Sequence, residues 1–170
     1  MLDFFLVGVF TLISLTEVRG RPDGAHERAC ATLNPGHEFV EPQKTTLPYD
    51  LLIDEKRPYI DHKLTFTIYS LSNTTQVGGF MVQARDIDFK EILGTFVPTE
   101  GSVRVMDCLG GVNNTATHID SSPKEHVSMV WLPPDGFKGQ FRFYATVAKT
   151  REIFWVAVPS PVVEYVEMPV

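Results

Sequence analysis

Apolar and polar residues alternate along several stretches of this chain. Leu64, Phe66 and Ile68 alternate with Thr65, Thr67 and Tyr69, and Phe80, Val82 and Ala84 alternate with Met81, Gln83 and Arg85. Val127, Met129 and Trp131 form one face of a third run. Phe141, Phe143, Ala145 and Val147 oppose Gln140, Arg142, Tyr144 and Thr146 in a fourth. A period of two places every second side chain on the same face, so each run predicts a half-buried β-strand. Residues 153–158 form a near-continuous apolar run that also predicts a strand. Weaker candidates lie at 49–53, 94–97, 102–106 and 116–119, which brings the expectation to eight or nine short strands.

Turn residues separate these runs: Ser72-Asn73, Gly78-Gly79, Pro98, Gly110-Gly111, Pro133-Pro134-Asp135-Gly136 and Lys138-Gly139. No stretch carries a helical stripe, although 87–93 has room for one turn or two. Regularly spaced short strands without helices predict an all-β fold of the sandwich type.

The first residues read differently. Residues 4–15 are almost uniformly apolar. That run is too short to cross a bilayer, which takes about 20 apolar residues, but it suits the hydrophobic region of a secretory signal peptide. We expect residues 1–20 to be that signal, 21–170 to be one domain ending in a short proline-containing tail, and the mature protein to be extracellular. No later run is long enough for a membrane span.

Charge narrows the function classes. Without Arg19, Asp3 and Glu17, the expected mature chain keeps 14 basic and 19 acidic residues, a net charge of −5. An acidic chain is a poor ligand for the phosphate backbone of nucleic acid and unlike a cationic membrane-lytic peptide. Two cysteines are present, Cys30 and Cys108. In an exported chain an even pair is most simply a disulfide; two free buried thiols are the alternative. Asn73-Thr74-Thr75 and Asn113-Asn114-Thr115 match the N-glycosylation sequon, each in an expected loop.

Several segments together resemble a known family. Ala29-Cys30 is followed by Pro35-Gly36-His37, then by Gly79-Phe80-Met81-Val82-Gln83-Ala84-Arg85 and Gly94-Thr95-Phe96. Later come Ala116-Thr117-His118, Val130-Trp131-Leu132-Pro133-Pro134, the run from Gly139-Gln140-Phe141 to Thr146-Val147, and Phe154-Trp155. In order and spacing the chain resembles a reeler domain, and is similar to the insect defence-protein, or noduler-like, group. The resemblance implies an immunoglobulin-like β-sandwich with Cys30 bridged to Cys108. It implies extracellular action in innate immunity, antimicrobial or nodulating, through binding of lipopolysaccharide, teichoic acid, glucan or blood-cell surfaces. An adhesive or matrix module without an immune role is the alternative.

Candidate chemistry adds little beyond binding. The histidines His26, His37, His62, His118 and His126 show no metal-ligand spacing. There is no G-x-S-x-G elbow and no phosphate-cradling glycine loop. The chain is read as a non-enzyme without cofactor or metal. Trp131 and Trp155 sit inside strands, where core packing is the expected role rather than sugar stacking. Arg85 and Arg142 point away from the apolar sides of their strands. They are candidates for gripping an anionic group on an exposed sheet face, or else for cross-strand pairing with an acidic residue.

Overall fold

A computed structural model describes residues 23–168. The expected signal segment, 1–20, lies outside the described residues. Ten strands form among the described residues: β1 (Tyr49–Ile53), β2 (Leu64–Ser70), β3 (Gly79–Asp86), β4 (Thr95–Val97), β5 (Val103–Met106), β6 (Thr115–His118), β7 (His126–Leu132), β8 (Gly139–Ala148), β9 (Phe154–Pro159) and β10 (Val163–Tyr165). They make two antiparallel sheets, ordered β1-β2-β7-β4 and β10-β8-β3-β6-β5, with β9 also paired to β8. The architecture is an immunoglobulin-like β-sandwich.

Between the sheets lies the core that the alternation predicts. Leu64, Phe66, Ile68, Met129 and Trp131 from one sheet meet Val82, Ala84, Phe141, Phe143 and Val147 from the other. Aromatic rings dominate the contact: Phe66 stacks on Phe143 with centroids 4.7 Å apart, and Trp131 stacks on Phe141 at 4.7 Å. Both tryptophans are buried, and each indole N–H finds a carbonyl. Trp131 donates to Leu93 O at 3.0 Å and Trp155 to Thr45 O at 3.1 Å. A buried indole needs such a partner, so neither ring is a surface platform for sugars.

Two segments refine the sequence reading. The stretch 87–93 forms one hydrogen-bonded turn, with Phe89 N donating to Asp86 O at 3.1 Å, and no helix. Asp86 Oδ1 instead accepts from Lys90 N and Glu91 N, folding the loop back so that Leu93 N reaches Ala84 O. A carboxylate that captures nearby amides competes directly with helix hydrogen bonding. The expected tail contains β10, which pairs Val163 with Phe141 and Tyr165 with Gly139. Tyr165 stacks over Phe141 and its hydroxyl donates to His62 O. Three residues flanked by prolines are too few to show a period.

One glycine is required by the core. Gly94 has φ +61°, and a Cβ there would lie 2.2 Å from Leu132 O and 2.5 Å from the Trp131 ring. Backbone conformation and steric overlap both exclude a side chain. Gly94→Ala is expected to cost about 3 kcal/mol or more in chemical denaturation. A loss below about 1 kcal/mol would show that the Trp131 pocket yields easily.

Candidate functional site

β3 is buried on both faces along nearly its whole length. Its inner side chains enter the core, and its outer ones, Met81, Gln83 and Arg85, lie under a flap. The flap is the irregular N-terminal segment, with a single 3-10 turn at Glu27–Ala29. It packs Ala29, Cys30 and Leu33 against Met81 and the Cys108 end of the sheet, forming a second, smaller apolar cluster. The Cys30–Cys108 disulfide fastens it, with Cα atoms 5.3 Å apart.

Irregular backbone laid over a sheet must find partners for its amides and carbonyls. The outward polar side chains of the sheet supply them. Gln83 Nε2 donates to Cys30 O at 3.2 Å, Thr146 Oγ1 donates to Leu33 O at 2.7 Å, and Ala25 N donates to Thr117 Oγ1 at 2.9 Å. Arg85 makes the densest set. Its Nη2 donates to Cys30 O at 2.7 Å and to Ala31 O at 3.2 Å, its Nη1 to Phe89 O at 3.0 Å, and its Nε to Gln83 Oε1 at 2.8 Å. The Phe89 ring covers the guanidinium carbon at 4.2 Å. Burial lowers the Arg85 pKa, and the nearby Asp86 charge opposes that shift.

The expectation for Arg85 and Arg142 is therefore corrected. The two are direct cross-strand neighbours, so they do share a sheet face. That face is not exposed at Arg85, which keeps only 2 % of its surface, and the residue opposite is another arginine, not an acid. Half-buried Arg142 donates to Ser160 O. Arg85 is a clamp for the flap.

Where the flap meets the ends of β3, β6 and β8, a half-open cleft of about 750 Å³ remains. Its walls are small and apolar: Ala25, Ala29, Pro35 and Ala148, with Leu33 and Met81 beneath. Gly78 and Gly79 keep one side low. Three cations line it, Arg28 from the flap with Lys149 and Arg151 from the β8–β9 turn, against one carboxylate, Glu38. Among the described residues the Arg28 and Lys149 side chains pair with no carboxylate, and Arg151 Nη1 lies 4.0 Å from Glu152 Oε1. Three histidines also border the cleft. His37 Nδ1 donates to Arg151 O at 2.7 Å and its ring meets the Phe154 edge, tying the flap to the turn. His118 Nδ1 lies 3.1 Å from both the amide nitrogen and the carbonyl oxygen of Phe80. His26 Nδ1 accepts from Arg28 N at 3.2 Å.

Sequence reasoning missed these cations because Arg28 and Arg151 are far apart in the chain. The available signal was local: Lys149-Thr150-Arg151 is a basic turn in an acidic chain. The described residues contain no histidine, cysteine and carboxylate group arranged to hold a metal ion. No helix among them is long and apolar enough to cross a membrane. The sequon residues Asn73 and Asn113 are both exposed, whereas Thr115 is buried and its hydroxyl accepts from Gln83 Nε2 at 2.9 Å.

Comparison with known proteins places this geometry. The chain is 31 % identical over 160 residues to the "Putative defense protein 3" of Antheraea mylitta, covering 94 % of each chain. It is 35 % identical over 149 residues to the "Putative ferric-chelate reductase 1 homolog" of Drosophila melanogaster, covering 85 % of this chain but 23 % of that much longer protein. The human F-spondin reeler domain superposes with a TM-score of 0.62 at 12 % identity, over 76 % of this chain and 96 % of that one, which shows a shared fold. The Reeler domain model matches residues 28–169, and the chain belongs to the reeler family.

Proposed function

We propose that this protein is a secreted recognition protein of innate defence, and that it binds anionic components of microbial surfaces at the flap–sheet cleft. The observation that carries this reading is the cluster of Arg28, Lys149 and Arg151 around a cleft in a chain whose formal net charge is −6. Arg28 and Lys149, which pair with no carboxylate among the described residues, can meet a ligand charge, and a guanidinium pairs with phosphate through two parallel hydrogen bonds. The whole-length similarity to a protein named for defence supports the same role. Lipopolysaccharide and teichoic acid both carry phosphate and match the rim. Neutral glucan offers it no charge, and blood-cell surfaces would engage it only through anionic groups. Binding rather than catalysis is the activity proposed.

The test is retention of the purified protein on lipopolysaccharide, teichoic acid, glucan and blood cells. The two phosphorylated polymers are expected to retain it, and salt should weaken retention. Lys149→Glu combined with Arg151→Glu should lower affinity at least tenfold, about 1.4 kcal/mol. Equal binding by the charge-reversed protein, or no binding to any of the four materials, would overturn the reading.

Export and glycosylation belong to the same proposal. Asn73 and Asn113 present accessible amides in turns, where a glycan stays solvated. Protein from insect-cell medium is expected to lose mass on enzymatic removal of N-glycans, and Asn73→Gln with Asn113→Gln should abolish that loss. An unchanged mass for the parent protein would discard both sites.

A further inference from the structure

We propose that the cleft takes an acyl chain carrying an anionic head, so that its ligand is an anionic amphiphile and not a bare phosphorylated glycan. The inference rests on the reading of the cleft as the recognition site and deepens it. A site for sugar alone would offer hydrogen-bonding side chains along its length. Here much of the lining is aliphatic, from Ala25, Ala29, Pro35, Ala148 and the underlying Leu33 and Met81, and the buried Thr146 hydroxyl is already committed to Leu33 O. Its volume of about 750 Å³ lies within the range of pockets that enclose whole small ligands. The small residues are what leave this space open, since a bulkier group at Ala148 would project into it from the outer face of β8.

A second observation points the same way. Phe39 lies just beyond His37 and Glu38 of the lining and is fully exposed, at 104 % of its reference surface. Its φ is +61°, a conformation that bulky side chains rarely adopt. Among the described residues nothing buries this ring. Phe39 occupies the third position of a turn closed by Val40 N donating to His37 O at 3.3 Å, and that turn holds the ring in solvent. Next to His37 and Glu38 of the lining, the exposed ring is placed to meet the part of an acyl chain that emerges from the cleft.

The experiment titrates inorganic phosphate and octyl, decyl and dodecyl phosphate into the protein below their micelle concentrations, by calorimetry. Each added methylene that enters the cleft is expected to tighten the Kd by about threefold to fourfold. Inorganic phosphate alone should bind far more weakly than the decyl ester. An alkyl-trimethylammonium of equal chain length should fail to bind. Lys149→Glu with Arg151→Glu should weaken every alkyl phosphate at least tenfold. Ala148→Trp and Phe39→Ser should flatten the dependence on chain length, with thermal unfolding recorded to confirm that each variant folds.

Affinity that stays flat with chain length in the parent protein would overturn the inference. If phosphorylated microbial polymers still bound, the recognition reading would stand without it. Failure of both alkyl phosphates and microbial polymers would remove the two together. Equal binding of the cationic amphiphile would also overturn it, because the rim charge would then have no part.

Discussion

Replacing Cys30 and Cys108 together by alanine is expected to lower the unfolding free energy by about 4.5 kcal/mol, the largest loss from any paired change we foresee. The bridge closes a sequence separation of 78 residues, and chain entropy makes long closures the most stabilising in principle. A local effect adds to this. Both cysteines are buried, and the bridge fastens the irregular flap over Met81, Gln83 and Arg85. Without it, the flap is held by hydrogen bonds and a small apolar cluster alone. Urea denaturation of the paired variant measures the loss. Hydrogen exchange should show the amides of residues 24–40 and of β3 losing protection before the rest of the sandwich. A loss below about 1 kcal/mol with unchanged flap protection would mean that side-chain packing alone secures the flap.

Arg85→Met is expected to cost about 3 kcal/mol, even though methionine is apolar and close to arginine in reach. The guanidinium is the hydrogen-bond partner of Gln83 Oε1 and supports the carbonyls of Ala31 and Phe89. Gln83 is fully buried, so its oxygen would lose a partner where water cannot replace it. Arg85→Lys should recover little, because one ammonium cannot span acceptors arranged around a planar fork. Arg142→Ala is the control: the side chain is half-buried and its removal should cost under about 1 kcal/mol. Chemical denaturation of the three variants gives the ranking. Arg142→Ala exceeding Arg85→Met would contradict the assignment of Arg85 as the clamp. Because Arg85 and the disulfide hold the same flap, their combined loss should fall short of the sum.

Much of the sandwich was legible in the sequence, and the reason is physical. Strands such as β2, β7 and β8 bury one face, so a period of two survives in Leu64-Phe66-Ile68 and in Phe141-Phe143-Ala145-Val147. β3 shows the limit of that signal. Its alternation gave the inner face correctly, but Gln83 and Arg85 read as solvent-facing because they are polar. They are buried because they donate to a segment that has no periodicity of its own. A cover made of irregular chain leaves its trace only in what lies beneath it. Here that trace is the set of long or hydroxylic side chains Gln83, Arg85, Thr117 and Thr146 on the outward face of adjacent strands.

The cleft was less legible than the fold. Its rim joins a flap residue, Arg28, to a hairpin turn carrying Lys149 and Arg151, and only the closed flap brings them together. Much of its lining is alanine, glycine and proline, which carry no chemistry of their own, although Ala29, Pro35-Gly36 and Gly79 stand in the family-like segments. The histidines showed no metal spacing along the chain, and two of them serve backbone contacts in space: His37 to Arg151 and His118 to Phe80.

The central claim is that recognition runs through this cleft, and mapping the bound ligand onto the protein tests it most directly. Backbone amide NMR shifts would be followed while a phosphorylated, acylated fragment of lipopolysaccharide is titrated in. The account predicts the largest shifts at Arg28, His37, Phe39, Lys149 and Arg151, and their loss in the Lys149→Glu, Arg151→Glu protein. Shifts confined to the uncovered face of the other sheet, at Leu52, Tyr69 and Leu132, or no shifts at all, would contradict it.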